Sequence, residues 1–202
     1  MKKTLDTKKY KYQLSASLIC ANPLDIRKDI VSLEEGGIDS IHFDVMDGNF
    51  VPRLGLYPEL LKSVKSITKL PIHVHLMIDD PVMFTPVFAE FGASSILVHY
   101  ESCKHVHYAI NQINSFGIKS GIILNYSTPL NTLDYLLEDL DIVALMAINP
   151  GIVGHKIIPG VIKKIADLRR IIDESGRKVV IEIDGGVNIE TAPKMIKSGA
   201  NS

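Results

Sequence analysis

The 202-residue chain has no tryptophan, two cysteines and an aromatic content of 6%. It also has no uninterrupted apolar run of roughly 18 residues, the length a membrane-spanning helix needs. Cys20 and Cys103 are too few for a disulfide framework, so nothing in the cysteine content calls for an oxidising compartment. Charge of one sign is missing too: 22 Lys and Arg stand against 23 Asp and Glu, a formal net charge of −1, which argues against a dedicated nucleic-acid binder. The lysine-rich start (Lys2, Lys3, Lys8, Lys9, Lys11) is not followed by the apolar stretch of a secretory signal. These absences lead to the expectation of a cytoplasmic protein with no nucleic-acid or membrane partner. Residues 1–12 read as a solvated basic extension and residues 13–202 as one domain, with a core large enough to need no metal for folding.

What is present is a steady alternation. Short runs rich in Val, Ile and Leu predict strands at Leu14–Cys20, Ser40–Val45, Ile72–Met77, Ser95–His99, Ser120–Leu124, Ile142–Ile148 and Val179–Ile183. Most are too continuous to keep a solvent face, as in parallel sheets covered on both sides. Between them, amphipathic spacing predicts helices at Pro23–Glu35, Tyr57–Ser66, Pro81–Phe91, Cys103–Phe116, Pro129–Glu138, Pro159–Glu174 and Ile189–Ser198. Four of these begin at a proline, whose fixed φ suits a first turn. Gly36-Gly37, Gly92, Gly117, Gly176 and Gly199 are plausible helix stops. Polar residues gather after nearly every strand rather than at one switch point, which favours a (β/α)₈ TIM barrel over a doubly wound sheet. The pattern stops at Gly199-Ala200-Asn201-Ser202, where an eighth strand should follow, so the eighth strand and last helix are expected to lie outside this chain.

Active sites of such barrels are built where the strands end. The second strand ends in His42-Phe-Asp44-Val-Met46-Asp47-Gly48, the third in His73-Val-His75-Leu-Met77, the fourth in His99-Tyr-Glu101 and the seventh in Asp184-Gly185-Gly186. Period two places His42, Asp44 and Met46 on one face and His73, His75 and Met77 on another. A single histidine on an apolar strand is ordinarily a hydrogen-bonded core residue. A carboxylate buried at a strand end, such as Asp44 or Asp184, instead needs a cation, a metal or several donors. Two imidazoles and two carboxylates form a mixed N/O set suited to Zn²⁺, Fe²⁺, Mn²⁺ or Co²⁺.

The string from His42 to Pro52 (HFDVMDGNFVP), together with His75-Leu-Met77, Asn125 before Thr128-Pro129, Met146 before Asn149-Pro-Gly151 and Gly154, and Glu182-Ile-Asp184-Gly-Gly-Val-Asn188, resembles the ribulose-phosphate 3-epimerase family. The resemblance implies reversible inversion at C3 of D-ribulose 5-phosphate to D-xylulose 5-phosphate through an enediolate. It further implies one divalent metal held by His42, Asp44, His75 and Asp184, with Asp44 and Asp184 as the two acid–base groups. Ser17, His75, Met46, Met77, Met146 and Asp184 would contact the substrate. Gly151, Gly154, Gly185 and Gly186 would offer backbone N–H groups to its phosphate, and a homo-oligomer is expected. The family completes its phosphate site with a Gly-Ser turn after the eighth strand.

Asn22, Arg53, Tyr57, Ile152-Val153 and His155 depart from the usual pattern and leave room for a longer substrate such as D-allulose 6-phosphate. A phosphate-binding barrel without catalysis, or a metal-independent decarboxylase, is the alternative class, although the latter would want a lysine beside its aspartates. The remaining histidines, His73, His99, His105, His107 and His155, receive no metal role, His73 being the likeliest spare, and both cysteines are read as structural. Residues 1–202 expressed alone are expected to turn over little or no substrate; normal epimerase turnover by that fragment would contradict the reading.

Overall fold

The structure is a computed structural model that describes residues 12–152 and 154–202; the basic start and Val153 lie outside the described residues. Seven strands form one parallel sheet in sequential order: β1 (Ser15–Ser17), β2 (Ser40–Met46), β3 (Ile72–Met77), β4 (Ser95–His99), β5 (Lys119–Leu124), β6 (Ile142–Met146) and β7 (Val180–Asp184). Helices α1 (Ile26–Gly36), α2 (Pro58–Lys65), α3 (Thr85–Glu90), α4 (Val106–Ser115) and α5 (Val161–Ser175) lie in the connections, and α6 (Ala192–Lys197) follows β7. The sheet curls, and Asn201 bridges its two edges. Asn201 N–H donates to Ile181 O of β7 (2.9 Å), and Gln13 N–H, just before β1, donates to Asn201 O (2.8 Å). The expected barrel architecture is therefore present with seven strands, and residues 201–202 run beside β7.

Alternation along each strand divides the side chains. Ile41, Phe43 and Val45 of β2, Val74 and Leu76 of β3 and Val98 of β4 pack against Ile30, Leu61, Val64 and Phe88 of the surrounding helices. On the other half, Val143, Leu145, Ile181 and Ile183 pack against Val161, Ile165, Leu168 and Ile172 of α5. The opposite faces line the barrel interior. There Leu97, Ile123, Ile142, Ala144 and Met146 form an apolar cluster, whereas β2, β3 and β7 turn His42, Asp44, His75 and Asp184 toward one another. Apolar packing on one side thus positions polar side chains on the other.

Several element boundaries differ from expectation. The first strand ends at Ser17 and is followed by a 3₁₀ turn, Leu18–Cys20. The segment expected as a helix over Pro129–Glu138 is instead two 3₁₀ turns, Leu130–Leu133 and Leu137–Asp139. Leu130, Leu133 and Leu136 recur every third residue, which matches three residues per turn, and Thr132 Oγ1 donates to Pro129 O (2.7 Å), competing with helical bonding. Pro81 opens only a short turn, Pro81–Met83, before α3, while α1, α4 and α5 each start two or three residues past their expected first residues. The last helix begins at Ala192 because Asn188 and Thr191 first close a reciprocal turn, Asn188 N–H to Thr191 Oγ1 (2.9 Å) and Thr191 N–H to Asn188 Oδ1 (3.0 Å). The expected helix stops are well placed: Gly37 and Gly176, for example, have φ of 84° and 69°, a left-handed conformation that other residues adopt only with strain.

Gly121 marks where the interior is tightest. A Cβ there would come within 2.6 Å of Leu97 Cγ and 3.2 Å of Ile142 Cβ, both in the interior apolar cluster. Gly121→Val should therefore destabilise the fold by about 1–3 kcal/mol through overpacking, read as a lowered denaturation midpoint; an unchanged midpoint would show that this part of the barrel is not close-packed.

Candidate metal and acid–base site

Four side chains converge at the C-terminal ends of β2, β3 and β7. His42 Nε2 lies 3.2 Å from Asp44 Oδ1 and 3.7 Å from Asp184 Oδ2. His75 Nδ1 lies 3.2 Å from both of those oxygens and 3.1 Å from His42 Nε2. Neighbouring ligand atoms around a divalent ion with bonds of about 2.1 Å are separated by about 3.4 Å in a tetrahedron and about 3.0 Å in an octahedron. The separations here, 3.1–3.7 Å, lie close to those values, so the four residues could together hold one metal ion. Two ring nitrogens facing each other across 3.1 Å would otherwise have to share a proton.

Electrostatics point the same way. Burial disfavours charge on His42, but the carboxylates of Asp44 and Asp184 outweigh it and push its pKa up to about 10. His75 is raised for the same reason, against its own burial. Burial likewise opposes the ionised forms of Asp44 and Asp184, and the neighbouring imidazoles overcome it, holding both acids below the usual carboxylate range. Positive charge on the imidazoles is thus favoured beside these carboxylates. Ser17 Oγ donates to Asp44 Oδ2 at 2.5 Å, which occupies the carboxylate oxygen that does not face the imidazoles.

A cavity of about 480 Å³ opens beside this group, a volume typical of small-molecule sites. The structure brings Ser17, His42, Asp44, Met46, Met77, Met146, Gly151, Gly154, Asp184, Gly185 and Gly186 to its wall; His75 is fully buried behind them. Met46 and Met77 pack on Val51. The four glycines have φ between 66° and 91°, and a Cβ on Gly185 would come within 2.4 Å of Ile148 Cγ1. Of the positions that depart from the family pattern, Arg53 and Ile152 line the cavity. Tyr57 instead caps α2, and Asn22 N–H donates to Asp29 Oδ2 (2.7 Å).

Three residues near the site were missed by sequence reasoning. Glu182 is 3% exposed, with one oxygen 3.5 Å from His42 Nδ1 and the other 3.5 Å from His73 Nδ1. His73 therefore faces an acid outside the four-residue group. Glu182 was legible in principle, since period two from Asp184 puts it on the same face. His99 and Glu101 are the others. His99 Nε2 meets His75 Nε2 at 2.9 Å, and His99 Nδ1 meets Glu101 Oε2 at 3.1 Å. Burial lowers His99 to about 4. Glu101 is lowered to about 2 despite its burial, by bonds from His99, Thr128 and the Asn125 N–H. Asp47, in the same string as His42 and Asp44, serves the loops instead: it accepts backbone N–H bonds from Asn49 (2.8 Å), Phe50 (2.9 Å) and Asp79 (2.8 Å).

The geometry can be set beside known proteins. Residues 13–202 match the model of the ribulose-phosphate 3-epimerase family. The ribulose-phosphate 3-epimerase of Bacillus subtilis (strain 168) is 44% identical over 190 residues, covering 94% of this chain and 88% of that protein. The chloroplastic ribulose-5-phosphate-3-epimerase of Arabidopsis thaliana is 41% identical (94% and 68% covered), and the ribulose-phosphate 3-epimerase of Escherichia coli (strain K12) 38% (94% and 85%). A mutant tryptophan synthase alpha-subunit from Pyrococcus furiosus superposes with a TM-score of 0.72 at 15% identity, covering 95% of this chain and 85% of that one, a likeness of fold alone.

Binding of Zn²⁺ should displace the protons that His42 and His75 hold. At pH 7.5, calorimetry in buffers of different ionisation enthalpy is expected to show release of at least one proton per zinc bound; zinc binding with no release would mean that the imidazoles are already neutral in the metal-free protein.

Proposed function

The chain belongs to the ribulose-phosphate 3-epimerase family, and on that premise we propose that it interconverts D-ribulose 5-phosphate and D-xylulose 5-phosphate by proton transfer between two carboxylates. The observation that carries this reading is the pairing of Asp44 and Asp184 in one group with the buried His42 and His75, open to a cavity of about 480 Å³.

The C3 proton lies next to a ketone and is too weakly acidic to leave unaided at neutral pH. A divalent cation held by His42, Asp44, His75 and Asp184, whether Zn²⁺, Fe²⁺, Mn²⁺ or Co²⁺, supplies positive charge that stabilises the enediolate. Inversion further requires one group to remove a proton from one face and another to return a proton to the opposite face. Asp44 and Asp184 come from β2 and β7, strands that are not neighbours in the sheet, and so can approach C3 from different sides. In one direction Asp44 accepts and Asp184 donates, and in the other they exchange duties. Ser17 orients Asp44 through its short hydrogen bond. Met46, Met77 and Met146 wall the cavity with soft side chains that exclude water and donate no proton.

The phosphate is assigned to the turns containing Gly151, Gly154, Gly185 and Gly186, whose backbones approach the cavity where no side chain intervenes. A longer ketose phosphate, such as D-allulose 6-phosphate, is the second reading because Arg53 and Ile152 both line the cavity.

The test follows C3 by NMR in D₂O with full-length protein and divalent metal, offering each sugar phosphate in turn. Deuterium at C3 together with the inverted product is expected with D-ribulose 5-phosphate, whereas exchange only with D-allulose 6-phosphate would reassign the substrate. Asp44→Asn and Asp184→Asn should each lose about 10²–10⁴-fold in turnover; an active Asp184→Asn variant would contradict the two-base assignment.

A further inference from the structure

The metal-facing atom of His75 is Nδ1, so its other nitrogen, Nε2, points away from the group and into a chain of contacts. Nε2 is 2.9 Å from His99 Nε2, in a position where both rings are fully buried and no water can intervene. His99 Nδ1 is in turn 3.1 Å from Glu101 Oε2. The other oxygen of Glu101, Oε1, accepts from Asn125 N–H at 2.8 Å and from Thr128 Oγ1. The loop carrying those two donors is tied to α5 by Lys164, whose Nζ donates to the carbonyl oxygens of Asn125 (2.6 Å), Tyr126 (3.0 Å) and Thr128 (2.7 Å). Phe50 covers His99, with ring centroids 4.8 Å apart.

Hydrogen-bond logic allows two arrangements of neutral rings along this chain. In the first, His75 Nε2–H donates to His99 Nε2, and His99 Nδ1–H donates to Glu101. In the second, His99 Nε2–H donates to His75; a proton then sits on His75 Nδ1, inside the ligand group, and a bare His99 Nδ1 faces a carboxylate that can only accept. The acceptor-only character of Glu101 selects the first, the one arrangement that presents a lone pair at His75 Nδ1.

We propose that His99 and Glu101 are positioning residues that fix the tautomer and ring orientation of His75 through this relay, making the loop after β5 part of what sets metal affinity. The proposal rests on reading His42, Asp44, His75 and Asp184 as a metal site. Groups behind metal-bound histidines commonly tune affinity by about 10–100-fold, and here the outer group reaches His75 through an intervening histidine.

The test uses zinc alone as the probe, with affinity measured by competition against a chromophoric chelator. Glu101→Gln can satisfy the Asn125 N–H or accept from His99 Nδ1 with its one oxygen, but not both, so the reversed relay becomes favourable. It should weaken zinc binding about 10–100-fold. Should Glu101→Gln not fold, His99 carries the comparison: His99→Gln, whose amide oxygen can accept the His75 Nε2–H, should retain most of the affinity that His99→Leu loses. Wild-type affinity in Glu101→Gln, or equal affinities in the two His99 variants, would overturn the relay. Failure of the wild-type protein to bind zinc would instead sink the metal site itself.

Discussion

Two carboxylates at the mouth of an apolar barrel, Asp44 buried and Asp184 partly exposed, are the constraint on which the rest of this structure depends. Asp44 is 5% exposed and lies on a strand whose outward face is sealed by Ile41, Phe43 and Val45, so the aspartate has little water to solvate its charge. A carboxylate in such a place must be neutralised, paired or bound to a cation. His42 and His75 provide the pairing, and the four side chains lie close enough together to hold one divalent ion. On the proposed reading, metal and protons would compete for one group, which would link metal affinity to pH and leave the aspartates ionised.

The barrel makes this arrangement sustainable by separating tasks between its two faces. Helix-facing residues form two large apolar clusters, and the interior cluster of Leu97, Ile123, Ile142, Ala144 and Met146 fills the space beside the site. Polar groups gather toward the C-terminal strand ends, beside turns whose glycines adopt left-handed conformations. Loops after β2 and β3 are joined through Asp47, and those after β4 and β5 through Glu101. Each of the two central histidines has an acid behind it: Glu182 faces His42 directly, and Glu101 reaches His75 through His99.

Much of this was legible from spacing. Period two placed His42 with Asp44, the strand pattern put His75 near a strand end, and the polar residues after nearly every strand favoured a barrel over an open sheet. Helix boundaries were less legible, because local side-chain bonds decide them: Asn188 with Thr191 delays α6, and Thr132 with the three-residue leucine repeat turns an expected helix into 3₁₀ turns. Glu182 shares a face with Asp184 yet reads as an ordinary strand residue until its burial is known. The contact between His75 and His99 depends on strand stagger, since the residue directly opposite His75 on β4 is Leu97; no pattern within either strand reveals it.

The most direct test of the metal centre is X-ray absorption at the zinc edge of the zinc-loaded protein. The account predicts a first shell containing two imidazole nitrogens and carboxylate oxygens at about 2.0–2.2 Å, with the imidazole contribution reduced in His75→Ala. A shell containing sulfur, or one unchanged by that substitution, would place the metal elsewhere and contradict the account.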